Sequence, residues 1–150
     1  MSLQDPYALN RFVDAQAPLF AQVVDELRSG AKRSHWMWFI FAQLAGLGHS
    51  ETARHFAIRS LAEAQAYLRH PVLGVRLVEC TQLVMAAHKA DPTRSAHDIF
   101  GSPDDLKFHS SMTLFATADP ALPEFGAALA LFFEGRPDAA TLKLLGRMAH

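Results

Sequence analysis

The sequence has almost no cysteine and almost no net charge. Its single thiol, Cys80, leaves no partner for a disulfide within the chain. Free thiols are typical of reducing compartments, so we expect a cytoplasmic location. The 14 Lys and Arg residues are balanced by 15 Asp and Glu residues, which gives a net charge of −1. Because nucleic-acid-binding domains usually carry a strong basic excess, we expect no nucleic-acid partner.

Long hydrophobic runs are also missing. The most apolar stretch, residues 36–42, is far too short to span a bilayer. Residues 1–10 lack the basic start and the apolar run of a secretory signal. We therefore expect no membrane association. With 50% hydrophobic and 19% charged residues, the chain is typical of a folded protein, and its length predicts one helical domain over residues 1–150.

Motifs for metals and phosphates are absent as well. No two of the eight histidines stand three or four positions apart, so the sequence contains neither HxxxH nor HExxH. Gly46-Leu47-Gly48 is too short for a phosphate-binding loop and is better read as a helix terminator. Cys80 falls on an apolar helical stripe with Leu77 and Val84, which predicts a buried, unreactive thiol. We predict no metal and no cofactor.

Signals for β-structure are lacking, whereas helix start and stop residues recur. No alternating segment or Asn-Gly or Asp-Gly hairpin turn is present. We expect an all-α fold of about seven to nine helices around a central apolar helix. The predicted helices begin near Pro6, Pro18, Ser34, Ser60, Pro71, Ser95, Ser102, Glu124 and Asp138.

The run WMWFIF, residues 36–41, is the candidate for the central helix. Its aromatic and β-branched composition is typical of strands. No other segment offers a pairing partner, however, and a helix that is apolar all round is a buried one. Ser34 is the predicted N-cap, and Gly46 or Gly48 the predicted end. Most of the run, including Trp38, is therefore predicted to be core.

The residues directly before the run allow two interpretations. Lys32, Arg33, His35 and Trp36 place two cations and a titratable ring beside an indole, at a predicted helix start. Such a cluster is a plausible anion site, with the indole stacking on a flat ligand. The alternative is a solvated basic turn that leads into a core helix. Both interpretations stay open from the sequence.

A second polar cluster lies in GSPDDLK, residues 101–107. As a helix start, Ser102 is the predicted N-cap, and the acidic pair that follows suits the helix dipole. Asp104, Lys107 and Ser111 then share one helix face. This face is either simply solvated, or Lys107 and Ser110 or Ser111 reach a small anion.

Four blocks of the sequence resemble the domain-of-unknown-function 1810 family, over Asp5 to about Leu145. The blocks are DPYALNRFVDAQ, KRSHWMWFIFAQLAGLGHS, AEAQAYLRHPVLGVRLVEC and IFGSPDDLKFHSSMTLFA. The resemblance implies a small, all-helical, single-domain bacterial protein without an assigned reaction. Some members carry a calpastatin label, but nothing in these residues is inhibitory. Ala42 stands where the family commonly has proline, which predicts a straighter helix and an altered pocket.

Two functions from different classes follow. The first is a binder or enzyme for a small anionic metabolite of the nucleotide or ADP-ribose type. Lys32, Arg33, Lys107 and Ser111 would hold the anion, Trp36 would stack on its ring, and His35 would be a general acid or base with Asp105 as its partner. A likeness in size and helical character to the NADAR family suggests ADP-ribose, without a shared motif.

The second function is a non-catalytic module that binds a protein through exposed aromatic residues such as Phe132 and Phe133. The discriminating feature is whether residues 32–36 and 102–111 meet around a cavity. The sequence leaves the oligomeric state open.

Overall fold

The computed structural model describes residues 5–148 as an all-α fold. Residues 1–4 and 149–150, which include His150 and part of the segment searched for a secretory signal, lie outside the described residues. Within 5–148 there are ten helices: α1 Asn10–Gln16, α2 Phe20–Ser29, α3 Met37–Ile40, α4 Glu51–His55, α5 Leu61–Arg69, α6 Leu73–Ala90, α7 Ala96–Phe100, α8 Asp104–Ala118, α9 Pro123–Phe133 and α10 Ala139–Met148. No helix among them is both long and apolar enough to cross a bilayer.

Several predicted helix boundaries are confirmed by their caps. Ser60 accepts a hydrogen bond from the Glu63 N–H at the start of α5, and Ser95 forms a reciprocal capping box with Asp98 at the start of α7. Asp138 accepts the N–H of Thr141 at 3.1 Å in the first turn of α10. Short polar side chains before a helix satisfy backbone N–H groups that have no partner in the first turn, and the sequence alone reveals them.

The number of helices exceeds the seven to nine expected because α4 was missed. This helix has only five residues, and Ser50 caps it by accepting the Ala53 N–H. None of its residues is buried, so it lacks the apolar stripe by which helices are recognised.

The predicted central helix is shorter than expected. α3 is a single turn that begins after Trp36, without a side-chain cap, and ends at Ile40. Its predicted N-cap, Ser34, and its predicted ends, Gly46 and Gly48, all lie outside it. The chain instead becomes extended after Phe41, and Leu44 forms an isolated parallel bridge with Ile58. The aromatic run itself therefore adopts no β-structure, and the bridge lies three residues beyond it.

The centre of the fold is α8. It packs against α5, α7, α9 and α10, and its residues 110–115 are all buried. Phe108 on this helix meets the ring of Phe41 edge-on at 5.1 Å and stacks on Phe100 at 4.7 Å. Aromatic pairs at these distances add to the stability gained from burying the rings themselves. Through Phe108, α8 thus packs against Phe41, which follows α3, and against Phe100, which directly precedes the GSPDDLK block.

The long helix α6 supports the opposite side of this core. Cys80 is fully buried on it beside Leu77 and Val84, as the apolar stripe predicted. Burial raises the pKa of the Cys80 thiol to about 12. A thiol that stays protonated and inaccessible is a packing residue, since the thiolate is the nucleophilic form.

Candidate functional site

The segment from Ala31 to Trp36 is held by one buried carboxylate. Glu26, on the last turn of α2, accepts the backbone N–H groups of Arg33 at 2.7 Å and Ser34 at 3.0 Å. The indole N–H of Trp36 donates to the same carboxylate at 3.0 Å. The Ser34 hydroxyl and the Gln22 amide donate to its other oxygen, at 2.7 and 3.0 Å. These donors fix the backbone and the side chains of the segment together.

The pKa of Glu26 reflects this arrangement. Burial by itself raises the pKa of the carboxyl, but the hydrogen bonds from Ser34, Arg33, Gln22 and Trp36 outweigh burial and bring it down to about 2. Hydrogen bonds to a carboxylate favour its charged form. Glu26 is therefore an anion at neutral pH, and it binds the backbone N–H groups of Arg33 and Ser34 and the indole N–H of Trp36 within the segment that the sequence suggested as an anion site.

Trp36 does not have the position that a stacking role requires. Its side chain is only 1% exposed, and its ring contacts the buried ring of Phe41 at 6.2 Å. No face of the indole is open to a ligand. The correction has a simple cause: the Glu26 carboxylate satisfies the indole N–H, so the ring can be buried at no hydrogen-bonding cost.

Lys32 does reach the second polar cluster. Its ammonium lies 2.8 Å from one oxygen of Asp104, while Lys107 lies 3.5 Å from the other oxygen. The backbone N–H of Lys32 also donates to Ile99 O at 2.8 Å, which fixes the segment next to α7. Two cations thus share one carboxylate where residues 32–36 and 102–111 meet.

Trp38 stands beside this charge cluster. Its ring is half-buried, and the Lys107 ammonium lies 4.5 Å from the ring centroid. A cation over an indole face is attracted by the negative potential of the ring. Trp38 was expected to fill space in the core, whereas it is the tryptophan with an accessible surface.

Trp38 and Lys107 line a cavity of about 390 Å³, here named the Trp38 cavity. Its volume lies within the range of small-molecule sites. Three further residues with polar side chains line it: Gln43, Ser110 and Asp138. Apolar and backbone atoms form the rest of its wall, which also includes Leu47, Gly48, Ala53, Pro103, Leu106 and Ala140.

The carboxylate of Asp138 is committed on one side only. Its Oδ2 lies 3.1 Å from the Ser110 hydroxyl and accepts the Thr141 hydroxyl at 2.6 Å. Within the described residues, its Oδ1 has no hydrogen-bond partner. This oxygen can accept a hydrogen bond from a ligand hydroxyl or amine. The cavity thus offers a flat ring, a cation and an acceptor.

Comparisons with known proteins place this architecture in a family. Residues 6–145 match the family described as "Protein of unknown function (DUF1810)". The chain belongs to the DUF1810 family. Its fold is similar to the crystal structure, at 1.38 Å, of the conserved hypothetical protein Rv1873 from Mycobacterium tuberculosis, with a TM-score of 0.89. The two are 55% identical, over 95% of this chain and 99% of the mycobacterial one. Among curated proteins, none matches the chain.

Ala42 has a different setting from the one predicted for this DUF1810 chain. It is fully buried and follows the end of α3, where Phe41 has already left the helical conformation with ψ of 75°. There is no helix at this point for the missing proline to kink. The expectation of a straightened helix is therefore wrong for Ala42.

The remaining predicted site residues of the DUF1810 chain are placed apart from the Trp38 cavity. Arg33 is exposed, and its guanidinium donates to the Ser29 hydroxyl at 3.2 Å. His35 is exposed as well. Asp105 faces His97 at 3.5 Å rather than His35, so the structure does not bring the predicted acid–base pair together.

The two adjacent serines of α8 also separate. Ser111 is fully buried, and its hydroxyl has no hydrogen-bond partner within residues 5–148. Ser110 is buried as well but lines the Trp38 cavity, and its hydroxyl lies 3.1 Å from both Leu106 O and Asp138 Oδ2. Ser102 is not the N-cap of α8 either: Pro103 holds that position, and no side chain caps the helix.

Sequence reasoning missed three residues that line the Trp38 cavity, namely Trp38, Gln43 and Asp138, and it missed the anchor Glu26. Asp138 was identified only as a helix cap, and Glu26 lies in an ordinary amphipathic helix. No local pattern marks either as a partner of distant groups. Within the described residues, no three His, Cys, Asp or Glu side chains are grouped so that they could hold a metal ion.

Proposed function

We propose that the protein binds a small anionic metabolite of the nucleotide or phosphorylated-sugar class in the Trp38 cavity. The observation that carries the proposal is the pairing of an accessible indole with a lysine whose only salt-bridge partner among the described residues is shared with a second lysine. Lys107 would neutralise the anion, and Trp38 would lie against the base or sugar ring.

The polar wall supports a ligand with hydroxyl groups. Asp138 Oδ1 is free to accept from such a group, and Gln43 and Ser110 add further hydrogen-bonding atoms. A cavity of about 390 Å³ is near the lower end of the range for small-molecule sites, so a mononucleotide or sugar phosphate suits it better than a complete ADP-ribose.

Lys32 belongs to the proposal as the second cation at Asp104. Its side chain is only 7% exposed, so its part is to keep Asp104 from neutralising Lys107 completely. Arg33, His35 and Asp105 do not line the cavity, and Trp36 and Ser111 are buried. The proposal therefore concerns binding, and it assigns no reaction. We also propose that the protein is cytoplasmic and that its partner is a metabolite rather than a nucleic acid or a membrane.

The alternative, a protein-interaction module, has weaker support at the residues predicted for it. Phe132 and Phe133 are half-buried instead of exposed. Phe133 stacks on His109 with centroids 4.0 Å apart, and Phe132 meets Phe108 edge-on at 5.9 Å. Part of each ring is therefore covered by the protein itself.

The experiment is a thermal-shift screen with AMP, ADP-ribose, ribose 5-phosphate and glucose 6-phosphate. A ligand at about 100 times its Kd adds about 2.7 kcal/mol to the free energy of unfolding, which raises the Tm by several degrees. The ligand found should quench the fluorescence of Trp38, and Trp38→Phe should abolish the quenching.

Two charge variants provide the control. Lys107→Met should remove the thermal shift, whereas Lys89→Met, which changes an exposed lysine on α6, should keep it. Equal shifts in both variants, or no shift with any of these compounds, would rule out the proposal.

A further inference from the structure

A second cavity, of about 430 Å³, lies where the start of the chain meets the segment between α4 and α5. It is here named the Arg59 cavity. Its walls are the backbone turn at residues 6–8 and the side chains of Arg11, His55, Arg59, Ser60 and Glu63. Three basic side chains and one carboxylate thus surround a space of ligand size.

The charges of Arg11 and Glu63 cancel within this wall. Arg11 donates to Glu63 Oε2 at 2.7 Å, and its other N–H groups bind the carbonyls of residues 7, 8, 55 and 57. The second oxygen of Glu63 accepts the backbone N–H of Arg59 at 3.0 Å. Every N–H group of the Arg11 guanidinium and both oxygens of the Glu63 carboxylate therefore have partners within the protein.

Three donors of the wall remain. Among residues 5–148, the guanidinium of Arg59 forms no ion pair or hydrogen bond, and Arg59 is exposed. The ring nitrogens of His55 have no partner there, although the ring packs edge-on against Phe56 at 4.6 Å. The Ser60 hydroxyl accepts the Glu63 N–H, which leaves its hydrogen free to donate. The cavity therefore has excess positive charge and unused donors.

The backbone at the rim is strained. Ala8 has a backbone φ of 53°, in the left-handed region that residues other than Gly, Asn and Asp rarely adopt. Arg11 holds this turn by donating to Tyr7 O at 2.6 Å and Ala8 O at 2.9 Å. Strained residues of this kind cluster at functional sites and persist where the surroundings enforce them. Here the strained turn at residues 6–8 forms one wall of the cavity.

We propose that the Arg59 cavity binds a small phosphate monoester, independently of the Trp38 cavity. The planar guanidinium of Arg59 matches two phosphate oxygens, and Ser60 and His55, which line the same cavity, supply donors for the rest. The volume exceeds that of the phosphate alone, so the organic part of the ester lies against Tyr7 and the strained turn.

The test uses phenyl phosphate as the probe and phenol as its uncharged match, with binding measured by calorimetry on the full chain. The wild type should bind phenyl phosphate and not phenol. Arg59→Ala should weaken binding by about tenfold or more, because hydrogen bonds to a charged group are lost. Circular dichroism checks that the variant is folded.

Two further variants separate this site from other basic residues. Arg54→Ala changes an exposed arginine on α4 that does not line the cavity, and it should leave the affinity unchanged. Lys89→Met, which changes an exposed lysine on α6, should leave it unchanged as well. Equal affinity in Arg59→Ala, loss of binding in Arg54→Ala or Lys89→Met, or no binding by the wild type at phenyl phosphate concentrations on the order of 10 mM would overturn the proposal.

Discussion

Trp36 and Trp38 are two positions apart and have opposite settings. Trp36 is 1% exposed, and its indole N–H is bound by Glu26. Trp38 is half-buried, with Lys107 over its ring and a cavity beside it. The sequence assigned the two roles the other way round. The difference shows that basic residues next to a tryptophan in the sequence do not make its ring ligand-facing, because the Trp36 indole donates to a buried carboxylate and its ring becomes part of the core.

The largest expected effect separates the two tryptophans by stability. Trp36→Ala should cost about 3–5 kcal/mol of unfolding free energy, as is usual for a fully buried large aromatic residue, and Phe41→Ala should cost a similar amount. Trp38→Ala should cost only about 1 kcal/mol. Urea denaturation of the three variants measures this. Equal losses at Trp36 and Trp38 would remove the distinction between core ring and site ring.

Removing the anchor of Trp36 should have the next largest effect. Glu26→Ala leaves the indole N–H and two backbone N–H groups without their acceptor, so a loss of roughly 2–4 kcal/mol is expected. Glu26→Gln keeps an acceptor oxygen and should recover part of the loss. A cost below about 0.5 kcal/mol for Glu26→Ala, as for an ordinary surface residue, would contradict the role of this carboxylate.

The same carboxylate predicts a pH dependence. The pKa of Glu26 is lowered in the folded protein, from 4.5 to about 2, so the folded state binds fewer protons than the unfolded state between these values. Its stabilising contribution is complete above the unfolded pKa and is lost as the pH falls from 4.5 towards 2. Chemical denaturation at a series of acidic pH values should show a shallower decline for Glu26→Gln than for the wild type.

The smallest effect concerns Arg33, which contacts Glu26 through its backbone. Arg33→Ala keeps that N–H and removes only an exposed side chain, so stability should change by less than about 0.5 kcal/mol. The affinity for any ligand of the Trp38 cavity should also stay the same, in contrast to Lys107→Met. If Arg33→Ala weakens that binding, the site extends to the basic segment, as the sequence interpretation had it.

Much of the helical fold was predictable because its signals are local. Ser60, Ser95 and Asp138 cap the helices that follow them, and the Leu77–Cys80–Val84 stripe is buried as its spacing predicted. The short helix α4 was missed because it buries no residue. The bounds of α3 were wrong because Ser34 donates to a distant carboxylate instead of capping a helix, and because Ile58 pairs with the chain beyond Phe41.

The sequence by itself determined the all-α class, the helix starts with polar caps and the burial of Cys80, since each depends on residues close in the chain. It also identified Lys32 and Lys107 as members of two polar clusters. Only the tertiary structure decided that both meet at Asp104, that Glu26 takes the donors of residues 33–36, and that Trp38 is the tryptophan with an open face. The physical reason is that a charged or polar side chain settles with the partner that best offsets its loss of hydration, and that partner is chosen by how helices distant in the chain pack together.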